Sequence, residues 1–268
     1  MKQVHEAPSL ADFSISWLAT WAVVKLKASA FREYESVVRR HLVPAFGHRR
    51  LDAITTEDIQ VYVAGKIEAG FAPRTVDNHV IVLKRILGTA VDYGLIGENP
   101  VKKVARPRYE RPEMRFLAPG QVRELLDAVE PAWRLLIALP VLCGLRKGEV
   151  LGLMWDDIDI ESMQIRVNKS MRGGIITSPK TPMSISTIPL PESLLPLIER
   201  RRKQAGDHEL VFSKRDGSPL ADATPNRVLE RALVAAHFPR VRFHDLRHSW
   251  AVAHLRAGTD IKTLTALG

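Results

Sequence analysis

The sequence has almost no cysteine: Cys143 stands alone among 268 residues. That excludes an intrachain disulfide and a cysteine-rich zinc site, and it suits a reducing compartment. Lying in an apolar stretch, Cys143 reads as a small core residue. Long hydrophobic runs are missing too. The longest, Leu135 to Leu145, is interrupted by Pro140 and falls short of the roughly 20 apolar residues that a membrane-spanning helix needs. The N-terminus lacks the basic, apolar and small-residue order of a signal peptide. Together these absences predict a soluble protein of the cytoplasm with no membrane partner. Tyrosine is also scarce: Tyr34, Tyr62, Tyr93 and Tyr109 are the only four, so the last 159 residues contain none.

What the chain does have is positive charge. Lys and Arg number 39 against 30 Asp and Glu, for a formal net charge of +9. A basic surplus favours a polyanionic partner, because neutralising phosphates releases their condensed counterions. Up to Arg115 there are 18 basic and 13 acidic residues, and from Phe116 onward 21 and 17. The surplus is therefore spread over both halves and is not a tail. With 46% hydrophobic and 26% charged residues, the length suits two ordinary domains, each with its own core.

The first hundred residues predict four helices. Ser9 and Asp12 have capping-box spacing, and Phe13, Trp17 and Trp21 follow at four-residue intervals, as one buried helical stripe would. A second helix carries Phe31, Tyr34, Val38 and His41 and is expected to stop at Pro44. A third begins at Thr55, with Asp58 as capping partner, and ends at Gly70. A fourth runs from about Pro73 through Val76, Val80, Leu83, Leu87 and Val91 until Tyr93 and Gly94 break the pattern. Residues 99–115 hold three prolines and six basic residues with little periodicity, which predicts an extended linker without an element. Its Lys102, Lys103, Arg106 and Arg108 read either as ordinary solvated charges or as contacts to a phosphate backbone.

From Phe116 the pattern is mixed. Helices are expected at Pro119 to Val129, Trp133 to Leu142, Glu192 to Gln204, Pro225 to Ala236 and His244 to Ala257, with a last turn from Asp260. Short runs around Ile158, Ile165, Ile175 and Ile188 predict a small antiparallel sheet, with a hairpin turn at Gly173 and Gly174. The fold class is mainly α with a small antiparallel β-sheet.

Two blocks carry candidate chemistry. In GLRKGE, Gly144 to Glu149, Arg146 follows a turn where one helix ends and another begins, a favourable place for an anion. In HDLRH, His244 and Arg247 are three residues apart at a helix start, so both fall on one face. Each arginine by itself also reads as a solvated charge, and Lys180, in SPKTPMSISTIPL, as a surface lysine on a β-turn. His244 and His248 have i, i+4 spacing with His254 beyond. There is no HExxH, no second cysteine and no carboxylate cluster, so neither a metal nor a cofactor is expected.

In order and spacing, GLRKGEVLGLMWDDID, then PKT before STIPL, then FHDLRHSWAVAHLRAGTDIKTLTALG resemble the tyrosine recombinases of the phage integrase type. The N-terminal segments YESVVRRHLVPAFGHRRLDAITTEDI and TVDNHVIVLKRILGTAVDYGLIGENPVKKV are similar to the helical core-binding domain of the same family, so the resemblance covers nearly the whole chain. It implies a helical SAM-like core-binding domain at 8–98, a basic linker at 99–115 and a mixed α+β catalytic domain at 116–268. It also implies a site: Arg146 and Arg247 as the clamp on a scissile phosphate, His244 as hydrogen-bond donor and proton-transfer partner, Lys180 as the acid for the departing 5′ oxygen, and Glu149 as support for Arg146.

The implied activity is site-specific recombination of double-stranded DNA through a 3′-phosphotyrosine, in a bacterial or phage-encoded cytoplasmic protein. A homotetramer on paired sites and accessory DNA-bending proteins belong to the same implication. The chain departs from the pattern in two places. Met183, Ser184, Ile185 and Ser186 stand where integrases often have basic residues. The sequence also ends at LG, before the family's second histidine and its nucleophilic tyrosine. The expectation is a C-terminally truncated polypeptide that binds DNA without cleaving it. The alternative is a noncatalytic remnant that occupies or regulates recombination sites. A helical regulator in which the two arginine blocks are coincidental is a third reading.

Overall fold

The computed structural model describes residues 6–110, 115–177, 185–260 and 262–264. The chain divides into two compact units, Met1–Pro112 and Glu113–Gly268. Helices dominate both, and the strands are few, short and antiparallel.

In the first unit, helix α1 (Leu10–Trp17) starts where the Ser9 hydroxyl accepts from the Asp12 amide at 3.1 Å. It continues through a π turn, Leu18–Ala22, into α2 (Val23–Lys25). Phe13 and Trp17 are buried, and Trp21 stacks on Trp17 with ring centroids 5.0 Å apart. Helix α3 (Ala28–Val37) likewise passes through a π turn, Val38–Leu42, into α4 (Val43–Phe46). Pro44 therefore does not stop the second helix as its sequence suggested. It lies at the first positions of α4, just after the π turn. There the wider winding relieves the clash between the ring and the preceding turn, and an amide donor is not required.

Helix α5 (Thr56–Glu68) begins with a complete Thr55–Asp58 capping box. Helix α6 (Pro73–Asp92) buries Val76, Val80, Leu83 and Leu87 along one stripe. The Trp17 indole Nε1 donates to the Thr89 hydroxyl at 3.0 Å, which ties α1 to α6. Residues 99–104 differ from the extended linker expected. Asn99 caps a 3-10 turn, Pro100–Lys103, and Val101 and Val104 are buried in the core of this unit. Two apolar side chains three residues apart suffice to fix one turn against a preformed helical surface.

The second unit is organised around α8 (Arg134–Cys143), whose residues Leu135 to Val141 are all buried. A helix that is apolar on every side belongs inside a core. Helix α7 (Pro119–Ala128) lies before it, and the short α9 (Lys147–Gly152) follows after a tight turn. Strands β1 (Ile158–Asp159), β2 (Gln164–Val167) and β5 (Ser186–Pro189) form one antiparallel sheet in the order β1-β2-β5, with Ile165 opposite Ile188. Strands β3 (Ser170–Arg172) and β4 (Ile175–Thr177) form a separate hairpin. Its turn residues Gly173 and Gly174 have φ of 60° and 76°, the left-handed values of a two-residue hairpin turn. Among the described residues these strands form two antiparallel sheets, where the sequence reading had one. Helices α10 (Leu195–Ala205), α11 (Thr224–Ala235) and α12 (Phe243–Arg256) complete the unit. Among the described residues no helix is long and apolar enough to cross a membrane.

Candidate active site

The site is built where α8 ends. Its C-cap, Gly144, has φ 72°, a left-handed conformation that glycine adopts without a Cβ penalty. The chain then reverses, and Arg146 becomes the N-cap of α9. The Arg146 amide donates to Glu149 Oε2 at 2.7 Å, and its guanidinium Nη1 donates to Glu149 Oε1 at 2.8 Å. One carboxylate thus caps the helix and holds the arginine side chain. Charge-assisted bonds of this kind are short and directional. The Arg146 side chain remains 54% exposed while that of Glu149 is 13% exposed, so the carboxylate lies beneath the guanidinium.

Helix α12 supplies the other half. Asp245, almost fully buried, accepts from the Arg242 amide at 3.0 Å and from its guanidinium at 2.8 Å, which fixes the helix start. His244 and Arg247 follow on the first turn. Arg247 donates through Nη1 to the Gly144 carbonyl. Arg146 and Arg247 line one small cleft together with Gly144, Glu149, Val167, Ser186 and Ile188.

The electrostatics follow from that crowding. Burial, then repulsion from Arg146, lowers the pKa of Arg247 from its ordinary value, and Glu149 opposes the shift. A guanidinium still stays charged at any physiological pH. Burial lowers the pKa of His244, with further contributions from His248, Arg247 and Arg146. At neutral pH its imidazole is therefore mainly uncharged, able to accept a proton at one nitrogen while donating from the other. His244 and His248 meet edge to face, centroids 4.7 Å apart. Two arginines lining one concavity, with an uncharged imidazole within electrostatic reach of both, can bind a tetrahedral oxyanion and exchange a proton with it.

Residues 115–268 match the family model described as "Phage integrase family", and residues 9–67 match "Phage integrase, N-terminal SAM-like domain". The chain belongs to the phage integrase family. A tyrosine recombinase XerC-like protein of Caldanaerobacter subterraneus is 25% identical over 97% of this chain and 75% of its own length. The ICEBs1 integrase of Bacillus subtilis is 25% identical over 89% of this chain and 69% of its own. The fold is similar to that of the Tn1549 transposon integrase in complex with a circular intermediate DNA, with a TM-score of 0.82 and 20% identity over 97% of this chain and 91% of that one. It is also similar to a lambda integrase tetramer bound to a Holliday junction, with a TM-score of 0.78 and 20% identity over 98% and 78% of the two chains.

For this integrase-family chain, the residues singled out from sequence fall into three groups. Arg146, Glu149, His244 and Arg247 come together in the second unit. Lys180 lies outside the described residues. Lys102, Lys103, Arg106 and Arg108 belong to the first unit and are exposed. Of these, Lys103 pairs with Glu98 at 3.1 Å, and Arg106 pairs with the buried Asp77 at 2.5 Å. His248 and His254 are half-buried, and His254 packs against Trp250 at 5.0 Å between centroids. Among the described residues no group of three His, Cys, Asp or Glu is placed to hold a metal.

Two contributors escaped the sequence reading. Trp250 lies against Gly144 and beneath Arg247. Ser249 accepts from the Leu117 amide at 2.9 Å and donates to the Asp245 carbonyl at 2.9 Å, so it fastens the start of this unit to α12. The one local signal was the three-residue spacing of Arg247 and Trp250, which puts both on one helix face.

Proposed function

We propose that the chain is a site-specific recombinase of double-stranded DNA, in which Arg146 and Arg247 clamp the scissile phosphate. The observation that carries this reading is the cleft shared by two guanidinium groups from different helices, each held by a protein acceptor. As a nucleophile adds to phosphorus, negative charge grows on the nonbridging oxygens, and donors already in place stabilise that state more than the ground state. Glu149 orients Arg146. His244, mainly uncharged before DNA arrives, hydrogen-bonds the phosphate and moves a proton. Lys180 gives a proton to the departing 5′ oxygen. A tyrosine that attacked here would conserve the bond energy as a 3′-phosphotyrosine.

Residues 8–98, with the 3-10 turn of 99–104 packed on their core, serve as the core-binding domain, the rest of the basic segment to 115 as the linker and 116–268 as the catalytic domain. Lys102, Lys103, Arg106 and Arg108 contact the phosphate backbone. A homotetramer on paired sites, aided by DNA-bending proteins, is the working assembly, and the cytoplasm is the place of action.

Binding of a labelled duplex, measured across salt concentrations, tests the clamp. Arg146→Ala and Arg247→Ala should each weaken binding and make the slope of log K against log[salt] shallower by about 1, the share of one phosphate contact. Unchanged affinity and slope in both variants would overturn the clamp.

A further inference from the structure

Arg247 is anchored by a backbone turn, and that turn rests on an indole. A Cβ placed on Gly144 would lie 2.6, 2.7 and 2.9 Å from Cε3, Cδ2 and Cζ3 of Trp250, so the six-membered face of the indole packs directly on the glycine backbone. The Gly144 carbonyl accepts from Arg247, and the Arg247 guanidinium carbon is 5.9 Å from the Trp250 ring centroid. Trp250 is only 6% exposed, and His254 packs against it at 5.0 Å between centroids. Glycine, arginine and tryptophan thus form one closed contact. The ring supports the left-handed turn, the turn aims its carbonyl, and the carbonyl and ring together set the arginine.

The geometry points to Trp250 as a positioning residue that holds the Arg247 guanidinium in the cleft opposite Arg146. An arginine side chain has rotamer freedom to lose on ordering, and a rigid aromatic surface with favourable cation–π geometry removes that freedom before the ligand arrives. Trp250 touches neither DNA nor the reacting atoms in this scheme and acts only through Arg247. The inference rests on the reading that the cleft binds a DNA phosphate.

The test is a double-mutant cycle on the 268-residue chain, using a fluorescein-labelled duplex of random sequence as the probe and each variant's far-ultraviolet dichroism as the check on folding. Trp250→Leu should weaken DNA binding about tenfold, which corresponds to ~1.4 kcal/mol, and should make the salt slope shallower by about 1. Trp250→Phe, which keeps a ring, should lose less. The decisive arm is the double variant: Trp250→Leu added to Arg247→Ala should cost nothing further, because coupled residues are not additive. A tryptophan that only filled the core would lower stability and leave the affinity and slope of the folded protein alone. Folded Trp250→Leu with wild-type affinity, or losses that add in the double variant, would overturn the inference. Should Trp250→Leu not fold, Trp250→Phe carries the same cycle, and wild-type affinity in it overturns the inference. A wild-type chain that fails to bind the duplex would overturn the phosphate-cleft reading itself, and this inference with it.

Discussion

Replacing Gly144 by alanine should damage stability and site together, and the structure says by how much. At φ 72° an L-residue costs roughly 1–2 kcal/mol more than glycine. The new methyl would also sit 2.6 Å from a Trp250 ring carbon, closer than any real contact, and the ring cannot retreat freely because His254 packs against it. Overpacking of this kind typically costs about 1–3 kcal/mol. The two effects act on different degrees of freedom, so a total of roughly 2–5 kcal/mol is expected. Urea unfolding followed by circular dichroism measures it as a lower midpoint with little change in slope. Because the Gly144 carbonyl is Arg247's acceptor, DNA affinity of the folded fraction should fall as well. A loss below about 1 kcal/mol with unchanged affinity would show that the turn is not held as described.

Acid should weaken the first unit. His79 is 1% exposed, accepts or donates at Nδ1 to the Tyr62 hydroxyl at 3.0 Å and stacks on His41 at 4.2 Å between centroids. Burial, then His41 and Lys66, pushes its pKa down to about 4 from 6.5. The unfolded chain therefore takes up the proton first as pH falls, so this stability is complete above pH 6.5 and is lost progressively toward pH 4, by about 3 kcal/mol. Thermal unfolding across that window, with His79→Gln flattening the profile, checks it, and a flat wild-type profile would refute it. Lys169→Met should cost about 3 kcal/mol, since the Lys169 ammonium lies 2.8 Å from Asp157, which is 3% exposed; a denaturation midpoint equal to wild type would show the pair contributes nothing. Glu149→Gln should keep an acceptor for the Arg146 amide while removing a negative charge under the cleft. Its amide cannot accept from both the Arg146 amide and guanidinium, so the variant's DNA affinity should fall by about threefold, or ~0.7 kcal/mol, and a rise of that size at low salt would mean that the charge under the cleft outweighs the carboxylate's hold on Arg146.

Local chemistry made most of the helices legible. The Ser9 and Thr55 caps, the α6 stripe from Val76 to Leu87 and the glycine turn at Gly173 and Gly174 are all short-range patterns, and the structure contains each of them. What could not be read depended on packing. The π turn that carries α3 past Pro44 answers to the surroundings of Val38 and Leu42, both buried. Val101 and Val104 are too few to make a period among six basic neighbours, yet both enter the core. Pairing β3 with β4 apart from the other strands is likewise a register choice, invisible in runs of three or four residues. In the site, the helical spacing of His244 and Arg247 was local, whereas the place of Glu149 beneath Arg146 followed only from the family resemblance. The contact between Gly144 and Trp250 joins residues from two helices far apart in sequence, so no local pattern announces it.

The two arginines are held by unlike partners, and that difference bears on what the cleft can do. A guanidinium has five N–H donors in a rigid plane, so anchoring one of them fixes the direction of the rest. Arg146 is anchored by a carboxylate, which neutralises part of its field and leaves its side chain 54% exposed. Arg247 is anchored by a neutral carbonyl and is more buried, with Arg146 as a like-charged neighbour. Burial and repulsion from Arg146 both act against the charge on Arg247, and Glu149 offsets part of that. In the proposed clamp, an incoming phosphate would offset both with its own negative charge, and more strongly as charge accumulates on its oxygens. The gain on reaching a dianionic transition state should therefore be larger through Arg247 than through Arg146. That asymmetry is why the supports of Arg247, Gly144 and Trp250 beneath it, matter as much to the site as the carboxylate that holds Arg146.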